Sequence, residues 1–386
     1  MRKLLSALFS IFVIAVIVVA VYFNQQFCLH QLDKVKGMYY VHKGDQAYKV
    51  MNTKDAILYY NKGLNLYPKH YGAWYNLGNI YVAYEDYYSA LNAYSQAFKH
   101  NPKMDIARMN YGIISSEMLG DFDSALTQYD QIIKTKRKLI TIPYVYDNKV
   151  SSRENKAIAH YNKGVTYRLK ALYATDDWEV QRKYMSMAIQ EYQKSIEIEP
   201  DSYDAQYNLG TLYHRSGDYM RAGNCYCKAI SVAPMNYEAH FNLALLLRKL
   251  GHHRESYEEI DKAMTLITAL DQNSSIQEYA ITVLNDIQHD AYQNPNYRKH
   301  FDEILSDKTK RAEINQVQKA QEQKKNKKTK HKKDKESKDE ITSKGVSFIN
   351  GKVVPTEELD EVIMEDFRKC PSKIYFEQGN DGINNI

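Results

Sequence analysis

The chain has 386 residues, 44% apolar and 12% aromatic, with 52 Lys and Arg against 47 Asp and Glu for a net +5. That charge is local: residues 308–338 hold thirteen Lys or Arg against four Asp or Glu, a +9 that leaves −4 for everything else. A chain-wide basic surface is thereby excluded, and nucleic acid is disfavoured as a partner. At the start, behind a basic flank at residues 1–3, residues 4–23 run as an apolar segment interrupted only by Ser6 and Ser10. It is long enough to cross a hydrocarbon core of ~30 Å as a helix. Arg2 and Lys3 precede it and the uncharged Asn24, Gln25 and Gln26 follow. The positive-inside rule then predicts a single-pass signal anchor with a cytoplasmic N-terminus and the rest of the chain extracytoplasmic, a bacterial inner membrane being the best fit. The alternative is a signal peptide cleaved near Val18 and Ala20 and a secreted product.

After a linker over 24–36, the sequence becomes periodic. Residues 37–70 carry Gly44, Ala56, Tyr60 and Pro68. Residues 71–104 repeat them in register with Trp74, Leu77, Gly78, Tyr81, Ala90, Tyr94, Ala97 and Pro102. The copy at 105–138 keeps Tyr111 and Gly112, but Gly120, Asp121, Phe122 and Ala125 fall one residue late. An insertion at 139–156 precedes a fourth copy, 157–202, with Lys163, Gly164, Tyr167, Ala188, Tyr192 and Pro200 and about a dozen extra residues around Asp176 and Trp178, expected to lengthen the hairpin. Residues 203–236 repeat cleanly through Leu209, Gly210, Tyr213, Gly217, Ala222, Tyr226, Ala229 and Pro234; residues 237–270 follow with Leu243, Ala244, Leu247, Gly251, Ile260 and Ala263.

A period near thirty-four residues, with two helical stripes and a closing proline, signifies a solenoid. This pattern resembles the tetratricopeptide repeat. The resemblance implies an all-α fold, a right-handed α-solenoid of helix-turn-helix units whose first helices line a concave surface that receives a peptide or helix of another protein. Each hairpin leaves one face bare for the next copy, so a terminal cap is needed; Ile276, Tyr279, Val283 and Ile287 make residues 274–290 the expected capping helix.

Beyond the repeats, 297–323 reads as a fading helix and 324–345 as a Lys-rich disordered linker. Residues 346–354 place Asn350-Gly351 between β-forming runs, the signal of a hairpin. Residues 356–368 form an amphipathic helix in which Leu359, Val362, Ile363 and Phe367 share a face, followed by a tail at 369–386. That acidic helix is a candidate docking element, either for another protein or within the chain.

Partner-facing residues are expected on the first helices. Position 6 is asparagine in five copies, Asn76, Asn110, Asn162, Asn208 and Asn242, a row able to pair with peptide backbone or to bond within the solenoid. Asn79 stands at position 9. Arg168, His214, Arg215, Arg248 and Lys249 occupy positions 12 and 13 of the last three copies, so that half of the groove is expected to be basic and to favour an acidic peptide. Relatives that grip a C-terminal carboxylate use lysine at position 5 and asparagine at position 9; Val41 with Asp45 and Tyr75 with Asn79 do not reproduce that clamp.

Chemistry finds no support. His252 and His253 are adjacent rather than four apart, there is no glycine-rich phosphate loop, and Cys28, Cys225, Cys227 and Cys370 form no metal or redox pattern and read as packing and incidental thiols. The expectation is a membrane-anchored, non-catalytic scaffold with no cofactor and no metal, whose partner is a protein or peptide. The alternative makes the Lys-rich tail the binding element, for an anionic polymer, lipid or nucleic acid, with the repeats as a spacer.

Overall fold

Nothing between Arg2 and Gly37 breaks a helix, since the first glycine is Gly37 and the first proline Pro68. In the computed structural model of the chain, which describes residues 2–135, 152–174, 177–269, 274–293, 346–349, 352–355, 368 and 370, helix α1 accordingly runs unbroken over Arg2–Lys49. At 1.5 Å per residue it is a rod of about 72 Å. The linker expected at 24–36 is helical, so the apolar segment and the first repeat helix are one element. The chain divides into two compact units, Met1–Ile198 and Glu199–Ile386.

In the first unit the end of α1 pairs with α2 (Thr53–Leu66), α3 (Tyr71–Ala83) with α4 (Tyr87–His100), α5 (Asp105–Ile113) with α6 (Phe122–Lys134), and α7 (Ser152–Tyr173) with α8 (Trp178–Ile198). One steric device recurs. A Cβ added at Gly44, Gly78, Gly112 or Gly164 would lie 2.5–2.6 Å from the ring of Tyr60, Tyr94, Tyr129 or Tyr192. The position-8 glycine is the floor on which the position-24 tyrosine of the second helix lies flat. Successive hairpins then stack through small residues: Ala73 and Ile80 join Tyr60 and Leu64 in one core cluster, Ala107 and Ile114 join Ala90 and Ala97 in the next, and Ala159 joins Tyr129 and Ile132. Turns are closed by Asp86 and Asp121, whose carboxylates accept the Ser89 and Ser124 backbone N–H groups at 3.1 Å.

The one-residue delay of the third copy has a definite form. Residues Ile114–Met118 make a π-helical turn at the end of α5, which absorbs the extra residue inside the helix instead of in the loop. In the fourth copy the dozen extra residues lengthen both helices, to 22 residues in α7 and 21 in α8. Helix α7 begins at Ser152, five residues before the expected start, so the end of the 139–156 insertion is helical; its earlier part lies outside the described residues.

In the second unit α9 (Tyr203–Ser216) pairs with α10 (Tyr219–Val232) and α11 (Tyr237–Lys249) with α12 (His253–Ala269). Gly210 faces Tyr226 as above, at 2.8 Å. In the last repeat ring and glycine are replaced together, by Ile260 and Ala244, both fully buried. Helix α13 (Ser274–Gln293) closes this unit by burying Ala280, Val283 and Ile287 against Tyr257, Ile260 and Ile267, which extends the expected cap by three residues. The hairpin is present, β1 (Val346–Ile349) pairing antiparallel with β2 (Lys352–Pro355) and Ile349 opposite Lys352. The cysteines require a correction: Cys227 of α10 and Cys370 form a disulfide across 143 residues, their Cα atoms 5.6 Å apart. Cys225 is free and buried, Cys28 free and exposed.

Candidate functional site

Positions 2, 5 and 9 of a first helix lie three or four residues apart and share one face. In the first unit that face is mixed, with Asp45 and Asn79 at position 9 of the first two repeats; position 2 is apolar and partly open in three of the four, where Met38, Ile106 and Ile158 are 50%, 54% and 44% exposed, and is Gly72 in the second repeat. Beside them, at position 5, Tyr75 packs against Tyr94 and Tyr161 against Tyr192, ring centroids 5.8 and 5.7 Å apart. The second unit repeats the aromatic pair as Tyr207 and Tyr226 but carries Asp204 and Glu238 at position 2. Asp204 is exposed, although partial desolvation by its neighbours raises its carboxyl pKa, and Glu238 accepts the Tyr203 hydroxyl at 3.3 Å.

The asparagine row turns inward. Asn76 donates to Asp45 at 3.2 Å and to the Tyr60 hydroxyl at 3.0 Å. Asn110 reaches the Tyr75 and Tyr94 hydroxyls at 3.5 Å, and Asn242 donates to the Tyr207 hydroxyl at 2.9 Å. Asn162 is buried, its amide 3.0 Å from the Met109 sulfur, and Asn208 donates to the Asp204 carbonyl. Asn79 accepts the Tyr94 hydroxyl at 2.8 Å. Most of these amides therefore tie a first helix to the tyrosines of its own or the preceding hairpin, and burial among them pushes the Tyr94 hydroxyl up to about 12.

The five cations differ in their surroundings. Arg248 is held by two residues of α13, Nε to Asp290 at 2.7 Å and Nη1 to Asp286 at 3.0 Å. Lys249 lies over the Tyr219 ring, 4.9 Å from its centroid. Burial, with Lys249 nearby, lowers the His214 pKa and favours the neutral ring. Arg215 is exposed. Arg168 is half-buried near Glu117 and Tyr192, and its Nε is buried with no hydrogen-bond acceptor. Among the described residues, Arg248 is the one of the five with a carboxylate partner; Arg168, Arg215 and Lys249 have no carboxylate within ion-pair distance. The proposed docking side chains Leu359, Val362, Ile363 and Phe367 lie outside the described residues. So do the spans 297–323 and 324–345. Cys370, three residues past Phe367, is attached to a second helix rather than a first. Among the described residues no group of three or more His, Cys, Asp or Glu is placed to hold a metal.

Family models described as tetratricopeptide repeat match residues 77–138, 191–223 and 237–268. The chain carries tetratricopeptide repeats. The TPR repeat-containing protein MJ1428 of Methanocaldococcus jannaschii is 23% identical over 47% of this chain and 36% of its own length. Superkiller complex protein 3 of Homo sapiens is 28% identical over 27% of this chain and 6% of its own. The chain thus spans about a third or less of these two curated relatives. Among solved structures, PilW, a type IV pilus biogenesis factor, aligns with a TM-score of 0.46 at 16% identity, over 63% of this chain and 97% of PilW. YrrB aligns at 0.38 and 20% identity, over 52% and 88%.

Within the tetratricopeptide array, the open position 2 at Met38, Ile106 and Ile158 is the feature that the sequence reading passed over. Its signal was available: an apolar residue at position 2 belongs to neither packing stripe of the repeat, so burial does not account for it.

Proposed function

We propose that the chain is a single-pass membrane protein whose tetratricopeptide array holds a segment of a partner protein on its first-helix face, without catalysis. The observation that carries this is the exposed apolar pair Ile106 and Ile158 at position 2 of α5 and α7, because a packed array has no internal use for them on an open face. The partner segment is apolar where it meets those residues.

Anchoring rests on α1, whose window of mean hydropathy 2.0 has none of its residues buried. A helix this apolar and this bare fits lipid better than water. The Cys227–Cys370 bond supports the orientation that the flanking charges predict, since such bonds persist in oxidising compartments and are rare in the cytosol.

Photo-crosslinking residues placed at positions 106 and 158 test the face in intact cells. Adducts with a second protein are expected from both positions, and none from positions 58 and 88, which are exposed on second helices. Equal adducts from all four positions, or none from 106 and 158, would remove the reading.

A further inference from the structure

Each first helix has two packing faces, and one of them receives the second helix of the preceding repeat. In α3 and α5 that face is built on positions 3 and 10: Ala73 and Ile80 are 0% and 1% exposed, and Ala107 and Ile114 0% and 6%. Among the described residues no hairpin stacks on the first repeat from its N-terminal side. Its equivalents on α1, Tyr39 and Gln46, are open, Tyr39 at 55%, and His42 between them is exposed as well. An array in water closes such an end with polar residues. Here the bare face stays apolar toward the N-terminus, through Val35 at 64%, Leu32 at 48% and exposed Cys28, with Leu29 and Met38 beside them. Every residue from 24 to 32 is exposed. That length of helix has no packing partner within the chain's described residues, although packing is what mainly stabilises helices in water.

The spacing along this face is regular. Residues 28, 32, 35, 39, 42 and 46 alternate steps of four and three, the a/d pattern of a coiled-coil seam. The opposite side of the same helix, at Gly37, Val41 and Gly44, is buried against α2, so the seam points away from the repeats. We propose that this seam pairs with the same seam of a second copy of the chain, parallel and in register, so that the array's open stacking face is covered by its own symmetry mate.

Three observations favour a second copy over a different protein. The face continues the inter-repeat interface, so its geometry is already that of helix-on-helix packing. The seam has no Asp, Glu, Lys or Arg, and in a parallel pair Lys36 and Lys43 at e positions meet Gln31 and Met38 at g positions rather than each other. Finally, and resting on the anchored reading, α1 is continuous with the apolar segment, so all copies stand at one depth in one orientation and Cys28 faces Cys28.

The test co-expresses two differently tagged full-length copies and oxidises the washed membranes with copper-phenanthroline and air. The two Cys28 thiols lose two electrons and two protons to the copper–oxygen couple and join as a disulfide. A reducible species containing both tags is expected from the natural chain. It should be lost in Cys28→Ser, absent when Cys28→Ser is combined with His30→Cys on the far side of the helix, and lost in Val35→Glu with Tyr39→Glu. Equal linking through position 30, no linking through Cys28, or linking of Cys28 to a different protein would overturn the proposal. An alkaline wash of the same membranes reads the anchor separately; if it releases the chain the anchor fails, and the seam is then judged by the same comparison of positions 28 and 30 in the soluble fraction.

Discussion

A methyl group added to Gly78 would lie 2.5 Å from the Tyr94 ring, closer than packed carbon atoms approach. The ring itself is 2% exposed and has nowhere to move. Alanine gains about 1 kcal/mol over glycine in helix propensity, but overpacking a filled site costs roughly 1–3 kcal/mol. Gly78→Ala is therefore expected to lower the thermal midpoint. Gly72→Ala in the same helix, where the nearest atom is the His70 ring at 3.4 Å, should leave it unchanged or raise it. The natural control is Ala244 with Ile260, where the ring and the glycine disappear together. A second site at this scale is Glu191, which accepts from His160 at 2.6 Å and Lys194 at 3.0 Å and faces Lys163 at 3.5 Å. Burial alone would raise its pKa, but the hydrogen bonds and the Lys163 charge outweigh burial and hold it at about 2 against an ordinary 4.5. A carboxyl depressed on folding contributes stability that is complete above about 4.5 and is lost as pH falls toward about 2. In denaturant titrations Glu191→Gln should be the less stable protein at pH 7, and the gap should close toward pH 2; a gap independent of pH would mean that the network owes nothing to this charge.

At the scale of elements, the third hairpin shows how a repeat tolerates an extra residue. The π turn at Ile114–Met118 lets Ile114 keep its stacking contact with α4 while Asp121 still caps α6. Deleting Met118, which is 49% exposed, should return the helix to α geometry and restore the thirty-four-residue period. Circular dichroism should show undiminished helix and a cooperative melt. Deleting the buried Leu77 from α3, which has no surplus residue, should abolish cooperativity; equal tolerance of both deletions would mean that register is not what holds the hairpins together. The delay itself was legible in the sequence because the glycine and alanine positions are set by steric contact, and Gly120 and Ala125 are shifted together by one residue. Its π form was not, since only the packing of Ile114 chooses helix over loop. The repeats were legible for the same steric reason. The groove was much less so: Arg248 reads as a groove cation until Asp286 and Asp290, 38 and 42 residues away, reach it from another helix. Likewise, the asparagines read as a row until the tyrosine hydroxyls that receive them are in place.

At the scale of the whole molecule, the Cys227–Cys370 bond links the far end of the chain to a repeat of the second unit. No spacing rule pairs two cysteines 143 residues apart, and the four thiols read as incidental for that reason. Closing a loop beyond about 100 residues removes chain entropy worth roughly 4–5 kcal/mol from the unfolded state, so reduction should lower the denaturant midpoint of the second unit. Trypsin offers a sharper reading. It should cut the Lys-rich stretch at 324–338 first, since that stretch offers the densest run of cleavage sites. On a non-reducing gel the C-terminal fragment should then stay with the fragment that contains α10, and it should separate on reduction or in Cys370→Ser. On the anchored reading proposed above, the same bond also reports the side of the membrane. Two thiols that remain paired in freshly alkylated cells require an oxidising compartment, which the cytosol does not provide. Cys227 and Cys370 should therefore resist alkylation until reduced, whereas Cys28, exposed and free, reacts at once unless a second copy occupies it. Ready alkylation of Cys370 in intact cells would withdraw both the staple and the extracytoplasmic placement of the repeats, because the two rest on the same sulfur atoms.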